Sequence, residues 1–302
     1  MEDAISPVLR LIAVRSAVYF QREFHAPWGM DVRDTGFAQF HLIVSGGAVL
    51  IGATGETKLE PGDLVIYPTG AAHRIADCAD AAVQPGQEVV QAIMSGAKIF
   101  DGDGTATRLI CGHFDFDFAS RHPLVAELPE RILLKAHDVF GVQPLGNLLS
   151  ILITESNSTQ LGSSAIAERL ADTIFVTILR AYSLESEDAT RFLSGLKDPR
   201  LARCIALIHN SFPEVPSLNE LAQVAGMSRS SIALNFRRVF GFAPGAYSTK
   251  WRLLQAAKRL RQSDDSVETV ASLSGYESAA SFSRAFRNLH GMSASEYRNS
   301  AR

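Results

Sequence analysis

One pattern occurs twice in the last third of the chain, with a nearly constant separation between the two copies. Gly226 and Gly275 are 49 residues apart, and Tyr247 and Tyr297 are 50 residues apart. A short apolar run precedes each glycine, and a run containing Ser and Phe follows it. Because both copies must form the same unit of structure, this repeat constrains the fold more than any other feature.

Each copy predicts two short helices joined by a tight turn. Ser217 and Glu220 form a capping box, which begins a helix, and Gly226 can end that helix in the left-handed conformation. The next helix has Ile232 and Phe236 four residues apart on one face. The corresponding residues of the second copy are Ala271, Gly275, Ser278, Phe282 and Phe286. Each copy is therefore a predicted helix-turn-helix, whose second helix can lie in the major groove of DNA.

Residues 199–299 resemble the DNA-binding domain of the AraC/XylS-type transcription regulators. The motifs that carry the resemblance are Leu-Ala-x-x-Ala-Gly-Met-Ser, Phe-Arg-Arg-x-Phe-Gly-x-x-Pro, Trp-Arg-Leu and Phe-x-Arg-Ala-Phe-Arg. The resemblance implies two helix-turn-helix units on one connecting helix, over Pro244 to Arg261, that enter successive turns of the major groove. The sequence departs from the family where Leu234 replaces an arginine on the first recognition helix, and where Ala294 replaces a proline.

The two recognition helices supply the candidate DNA contacts. Arg284 faces away from the core aromatics and matches the family's base-contacting arginine, although it can instead hold a phosphate. The full set of predicted base contacts is Arg229, Ser230, Ala233, Leu234, Ala280, Ser281 and Arg284. The predicted phosphate contacts lie further along the helices and are Arg237, Arg238 and Arg287.

Charge is unevenly distributed between the two parts of the chain. From Asp198 onward there are 14 Lys and Arg against 8 Asp and Glu, whereas the first 197 residues hold 15 against 24. Phosphate binding needs an excess of cations, and only the last third has one. The 302 residues are enough for two domains with separate cores. No signal peptide or membrane span is evident, and three widely spaced cysteines indicate reduced thiols, so we expect a cytoplasmic protein.

Residues 8 to 115 predict a β-barrel or sandwich, because short β-branched or aromatic runs alternate with Gly- and Pro-containing turns. The predicted strands include Phe37 to Val44, Asp63 to Tyr67, Glu88 to Met94 and Thr107 to Phe116. The series Gly62-x5-Pro68-x-Gly70-x2-His73 has the spacing of the second cupin signature, whereas only His41 remains of the first. Residues 8–118 thus resemble the cupin sensor domain of one subgroup of AraC-type regulators, which also carries a Cys-Gly pair in a late strand, here Cys111-Gly112.

The barrel interior is the expected effector pocket, and its chemistry stays open between three alternatives. Its predicted lining is Trp28, Phe40, His41, Tyr67, His73, Cys111 and His113. One alternative is a metal ion on His41 and His73, with His113 or His25 as a third ligand. A second is an oxidant- or electrophile-responsive thiol at Cys111, with Cys78 and His113. A third is an apolar pocket for a small organic effector.

Residues 129–184 change to a helical period and predict a helical layer, with helices over Leu145 to Ser156 and Ser164 to Leu184. The second helix is apolar on nearly every side, which favours a homodimer contact over a layer packed only within one chain. We expect a cupin-like domain over 1–128, a polar linker over 185–198 and the DNA-binding domain over 199–302. The predicted fold class is α+β, with an N-terminal cupin barrel and a C-terminal all-α double helix-turn-helix.

The sequence therefore predicts a dimeric transcription regulator, with activation as the commoner mode in this family. Its expected partners are double-stranded DNA, RNA polymerase and a small-molecule, metal or oxidant effector. No cofactor is required by the sequence, apart from the candidate metal ion. The rival hypotheses are a metal-dependent cupin enzyme with an appended DNA-binding domain, and a barrel that serves only as a dimer scaffold.

Overall fold

The computed structural model describes residues 4–8, 15–34, 38–52, 55–115, 122–137, 143–185 and 191–299. These residues form two compact units. The β-rich unit comprises residues 14–116 and 128–185, and the helical unit comprises residues 1–13, 117–127 and 186–302. Each unit thus contains segments from more than one part of the chain.

The β-rich unit contains two antiparallel sheets. The strands are β1 (Arg15–His25), β2 (Gly29–Val32), β3 (Ala38–Ser45), β4 (Ala48–Gly52), β5 (Gly55–Leu59), β6 (Leu64–Tyr67), β7 (His73–Ala76), β8 (Gln84–Pro85), β9 (Ala106–Asp115) and β10 (Ile132–Leu134). One sheet has the order β1-β9-β3-β6-β10, and the other has the order β5-β4-β7-β2-β8. Only the β2–β8 pair among these strands is parallel. The two sheets enclose one core, which is the architecture predicted for a cupin barrel.

The helices occupy both units. The β-rich unit contains α1 (Gly86–Met94), α3 (Gln143–Ser156) and α4 (Ser163–Glu185); the helical unit contains α2 (Pro123–Ala126), α5 (Arg191–Leu196), α6 (Pro199–Asn210), α7 (Leu218–Ala225), α8 (Arg229–Phe240), α9 (Pro244–Gln262), α10 (Val267–Leu273), α11 (Ala279–His290) and α12 (Ala294–Asn299). The two units together confirm the α+β class.

Strand β3 is buried on both faces because each face meets a different layer. His41 and Ile43 point into the space between the sheets, whereas Phe40 and Leu42 alternate with them and point outward. Phe40 packs with Phe114 against apolar side chains of α3 and α4. The helical layer thus covers the outer face of one sheet, and this burial explains why β3 reads as a nearly continuous apolar run.

The segment Glu88 to Met94 was predicted as a strand, and this prediction is wrong. It forms most of α1, in which Val89 and Ile93 are buried four residues apart. A short apolar run with β-branched residues is ambiguous between strand and helix when periodicity is the only guide. Burial of one helical face against the barrel decides the outcome here, and α1 comes to lie beside the barrel interior.

The predicted helical layer over 129–184 is correct for α3 and α4 but not for its first residues. Ile132–Leu134 form β10, which pairs with β6 at the edge of a sheet. The polar linker predicted over 185–198 also needs correction, because α5 forms within it. Phe192 and Leu193 of α5 are buried, so this part of the segment belongs to the packed helical unit.

In the helical unit, the local capping signals act as predicted. Ser217 and Glu220 form the capping box of α7, and Gly226 ends that helix with a φ of 64°. Ser228 and Ser278 accept hydrogen bonds from backbone N–H groups at the starts of α8 and α11. Because each cap satisfies backbone donors that the helix itself cannot, the two helix-turn-helix units are fixed largely by local sequence.

A short segment from the middle of the chain also belongs to the helical unit. Helix α2 begins after His122, whose imidazole accepts a hydrogen bond from the Leu124 N–H at 3.0 Å. His122 is fully buried and packs edge-on against Phe192 of α5 and Trp251 of α9. Strands β9 and β10, which precede and follow this segment in sequence, lie in the β-rich unit. The sequence had assigned residues 117–127 to the cupin domain.

Candidate DNA-binding surface and effector cavity

The two recognition helices, α8 and α11, have the same division between buried and exposed faces. Ile232 and Phe236 of α8, and Phe282 and Phe286 of α11, are fully buried. Residues two positions away from these buried side chains point to the opposite side of the helix, because successive helical residues are about 100° apart. This geometry leaves one solvent-facing side on each helix for contact with another molecule.

Cations stand on both exposed faces. Arg229 and Arg237 of α8 and Arg284 of α11 are exposed, and within the described part of the chain none of the three side chains has a hydrogen-bond or salt-bridge partner. Arg287 is also exposed. Hydrogen bonds from Ser293 lower the pKa of Glu296, and the charge of Arg287 lowers it further. Cations without protein partners are available to phosphates or to base edges.

The remaining predicted contact residues lie on the same two faces. Ser230 and Ala280 are exposed, and Ala233 and Ser281 are half-buried. Leu234 has 70% of its surface exposed, which is unusual for leucine and places an apolar side chain in the centre of the α8 face. Arg238 differs from the other arginines because it donates a hydrogen bond to Asn235 on the same helix, at 2.8 Å.

Two arginines that sequence reasoning missed hold the turns of the helix-turn-helix units. Arg203 of α6 donates to the Val224 carbonyl near the end of α7, at 2.9 Å. Arg252 of α9 donates to the carbonyls of Ser274 and Gly275, at 2.8 and 2.9 Å, and its guanidinium lies over the Tyr276 ring. Arginine is favourable at a helix C-terminus, where carbonyl groups are unpaired. Both arginines lie on a different helix from the one whose end they bind, 21 to 23 residues away along the chain, so no local sequence signal identifies them.

The β-rich unit contains a cavity of about 710 Å³. Its walls come from β1, β2, β3, β9 and α1, and both apolar and polar side chains line it. Phe20, Met30 and Val90 are among the apolar ones, and Gln39 and Arg33 are among the polar ones. This volume and this mixture of surfaces are typical of a site for a small organic molecule.

A chain of three hydrogen-bonded side chains borders the cavity. Cys111 Sγ lies 3.0 Å from His41 Nδ1, and His41 Nε2 lies 2.8 Å from His73 Nε2. The Nδ1 atom of His73 lies 2.8 Å from the Ala71 carbonyl oxygen, which can only accept a hydrogen bond. Cys111 and His41 line the cavity directly, whereas His73 lies behind His41.

Burial keeps all three side chains neutral. It lowers the pKa of His41 well below its ordinary value, and the neighbouring His73 lowers it further. Burial also lowers the pKa of His73 to about 4, although the Ala71 carbonyl and Asp31 partly oppose this shift. The pKa of the Cys111 thiol is raised well above its ordinary value because the group is fully buried.

Neutrality fixes the direction of each hydrogen bond. His73 donates its Nδ1 proton to Ala71, so its Nε2 atom must accept a hydrogen bond. His41 therefore donates from Nε2, its Nδ1 atom accepts, and the Cys111 thiol donates to it. We call this chain of donors, from the thiol through His41 to His73, the Cys111 relay.

Comparison with protein families gives two matches that together span most of the chain. A cupin family matches residues 3–183, and a helix-turn-helix domain family matches residues 221–300. A relative in Haemophilus influenzae, named an uncharacterized HTH-type transcriptional regulator, is 28% identical over 302 residues, with 99% of both chains covered. The RCS-specific HTH-type transcriptional activator RclR of Escherichia coli (strain K12) is 28% identical over 305 residues, with 99% of this chain and 98% of RclR covered.

The chain belongs to the AraC-type transcription regulators with a cupin domain. Among solved structures, an AraC-type DNA-binding domain protein from Chromobacterium violaceum is 26% identical, with 35% of this chain and 94% of that chain covered and a TM-score of 0.34. As an AraC-type regulator, the protein is a DNA-binding protein that acts on transcription. The names of the relatives favour a regulator over the enzyme that was the rival hypothesis.

In this AraC-type regulator, some of the predicted effector residues lie together and others lie apart. His41, His73 and Cys111 form the relay, and Tyr67 stacks on His73 with the ring centroids 3.6 Å apart. Phe40 does not face the cavity, because it lies on the opposite side of β3 against α3 and α4. Trp28 is fully buried in the core between the sheets, with its backbone N–H bonded to Asp77.

The residues predicted to complete a metal site are not arranged around one point. His113 packs its ring on Tyr19, and His25 lies 3.6 Å from Glu23 at a partly exposed position. Among the described residues, no group of three or more His, Cys, Asp or Glu side chains is arranged to hold a metal ion. The two nitrogens of His41 point in different directions, to Cys111 and to His73, so the relay does not present its three side chains to a single ion.

The two cysteines of the predicted thiol site also lie apart. Cys78 is exposed in the loop after β7, whereas Cys111 is buried inside the barrel. The imidazole at hydrogen-bond distance from Cys111 is that of His41, which the sequence does not pair with this thiol. None of the described helices combines the length and the apolar character needed to cross a bilayer.

Proposed function

We propose that this AraC-type regulator reads DNA with both recognition helices and that an effector in the barrel cavity changes its DNA binding. The observation that carries the DNA proposal is the repeated exposed face of α8 and α11, on which the side chains of Arg229, Arg237 and Arg284 have no partner among the described residues. Two such faces on one connecting helix fit a bipartite site whose elements lie about one helical turn apart.

Within this proposal the exposed residues have two roles. Arg284 reads a guanine through its forked guanidinium, and Leu234 packs on a thymine methyl group, since these are the contacts that each side chain makes best. The predicted base contacts are completed by Arg229, Ser230, Ala233, Ala280 and Ser281. Arg237, Arg238 and Arg287 hold phosphates, which fixes the position of each helix without reading sequence.

Selection of bound DNA from a random pool tests the proposal. The wild type is expected to enrich a bipartite site, and Arg284→Ala is expected to lose one element, with a loss of about 1–3 kcal/mol at that position. Arg287→Ala is the matched control on the same helix. It should weaken binding evenly across sequences and reduce the slope of log affinity against log salt by about 1.

Enrichment of no sequence by the wild type would contradict specific reading by this protein alone. Equal behaviour of the two arginine variants, with the same selected site in both, would contradict the assignment of Arg284 to a base. In that case Arg284 would be one more phosphate contact.

We also infer a homodimer formed through the α3–α4 hairpin. Ile151 and Ile166 each expose more than 40% of their surface, and Leu161 in the connecting turn is fully exposed. Large exposed apolar side chains on adjacent elements favour an interface. Ile151→Glu with Ile166→Glu should convert a dimer into a monomer in sedimentation experiments, whereas Met94→Glu, a change at an exposed position of α1, should not.

In this scheme two copies engage two sites when the effector favours the matching placement of their DNA-binding units. Contact with RNA polymerase would then give activation, and the relative RclR is named an activator. We place this activity in the cytoplasm, where a bacterial regulator meets its DNA. The effector is a small organic molecule or an oxidant, and the cavity beside the Cys111 relay is its proposed site.

A further inference from the structure

The Cys111 relay is more elaborate than burial of a cysteine requires. A buried thiol needs at most one weak acceptor, and among the described residues Cys204 in the helical unit has only the Leu221 carbonyl, at 3.5 Å. Cys111 instead meets an imidazole nitrogen that is free to accept a proton, and that imidazole is hydrogen-bonded to a second one. This arrangement can remove a proton from sulfur, which a carbonyl oxygen cannot do.

We propose that Cys111 is the covalent attachment site for an α,β-unsaturated carbonyl effector, with His41 and His73 moving the proton that the addition requires. This inference rests on the proposed function, since it takes the barrel cavity as the effector site and names the chemical class of the effector. A cavity of about 710 Å³ beside the thiol has room for an organic molecule. The apolar lining by Phe20 and Met30 suits its carbon skeleton.

The addition balances without an oxidant or a second reactant. The sulfur of Cys111 bonds to the β-carbon of the effector, and the electron pair of its C=C bond moves to form an enolate. As this happens, His41 Nδ1 takes the thiol proton and passes its own Nε2 proton to His73. The reverse transfer then delivers a proton from His41 Nδ1 to the α-carbon. The thiol hydrogen ends on carbon, and both imidazoles return to their starting tautomers.

The groups around the relay support a transient positive charge at its far end. Asp31 of β2 favours the protonated form of His73, and Asp31 also lines the cavity. Tyr67 of β6 stacks on the same imidazole, and the Ala71 carbonyl holds its Nδ1 proton. Tyr19 of β1 lies close enough to Cys111 for the two groups to interact electrostatically. A positioned general base of this kind accelerates proton transfer by about 100-fold to 10⁴-fold.

The test uses the full chain carrying Cys78→Ser, which removes the exposed thiol, and N-ethylmaleimide as the probe. Peptide mass spectrometry follows labelling of Cys111 and of Cys204 in the same sample over a pH series. Cys204 is the internal control, because it is buried, no imidazole in the described part of the chain bonds to it, and any general unfolding would expose it. The series is repeated with His41→Asn and with His73→Gln, which keeps a polar partner for His41 but cannot relay a proton.

We expect Cys111 to react faster than Cys204, at a rate that stays nearly constant from pH 6 to pH 8. Reaction through a free thiolate would instead rise about tenfold per pH unit. Each histidine variant should slow Cys111 by about 100-fold or more without changing the rate at Cys204. Labelling of Cys111 should then change the affinity for the selected DNA in the parent protein and not in Cys111→Ser.

The proposal is overturned if Cys111 reacts no faster than Cys204, if its rate rises tenfold per pH unit, or if the histidine variants react like the parent. Reaction at Cys111 that leaves DNA affinity unchanged overturns its role as the effector site. The labelling rates do not depend on whether the protein enriches a DNA sequence, so failure of the relay and failure of specific DNA reading are distinguishable.

Discussion

The Tyr247→Phe substitution would test how the segment around His122 is held in the helical unit. The Tyr247 hydroxyl lies 2.9 Å from His122 Nε2 and 2.7 Å from His209 Nε2, and all three side chains are buried. His122 accepts from the Leu124 N–H through Nδ1, so as a neutral imidazole it donates from Nε2 to Tyr247. The tyrosine hydroxyl then donates to His209.

The magnitude follows from the two partners that phenylalanine would leave behind. The ring and its packing against Phe192 and Phe242 are retained, so little apolar burial is lost. One imidazole N–H and one imidazole nitrogen become unsatisfied in a buried site, at about 1–3 kcal/mol for each group. Partial relaxation of the site lowers the sum, and we expect a loss of about 2–4 kcal/mol, a large part of the stability of a typical domain.

Hydrogen exchange measured by mass spectrometry on the full chain is the suitable assay, because it reports opening of α9 separately from the β-rich unit. A loss of this size should lower the protection of the slowest amides in Pro244–Gln262 by roughly 30-fold to several-hundred-fold, since about 1.4 kcal/mol corresponds to a factor of ten. Tyr276→Phe is the matched control, because the buried Tyr276 hydroxyl has no hydrogen-bond partner within the described part of the chain. Equal protection in the two variants would refute the reasoning.

Three further predictions concern the same unit and its DNA contacts. Burial lowers the pKa of His209 to about 3, so between pH 6.5 and pH 3 the unfolded state binds a proton that the folded state does not. Stability should therefore fall as pH falls below 6.5, by about 2 kcal/mol at pH 5 from His209 alone, and an unchanged urea midpoint between pH 7 and pH 5 would contradict this. Arg252→Met removes the bonds to Ser274 and Gly275 and should increase hydrogen exchange in α11 but not in α8, whereas equal exchange in both helices would show that the arginine does not hold the second turn. Leu234→Arg should replace a thymine preference by a guanine preference in one element of the selected site, with discrimination of about 1–3 kcal/mol, and an unchanged site would mean that this position does not touch a base.

The part of the fold that the sequence by itself determined is the part governed by local rules. The capping box at Ser217, the left-handed Gly226 and the apolar pair Ile232 and Phe236 each act within a few residues, and the structure has all of them where the pattern placed them. Because the pattern occurs twice, the same local signals also specify the second helix-turn-helix unit. The spacing around Gly62 and Gly70 likewise predicts the turns of the barrel, and both glycines adopt a positive φ at the turns before and after β6.

Tertiary structure alone decided features that depend on which surfaces meet. Glu88 to Met94 forms a helix because one of its faces packs on the barrel, and Phe40 faces outward because α3 and α4 cover that side of β3. His41 lies 70 residues from its partner Cys111 along the chain, and His122 lies 125 residues from its partner Tyr247. No local rule connects such positions, because burial and hydrogen bonding over these separations are set only when the strands and helices pack together.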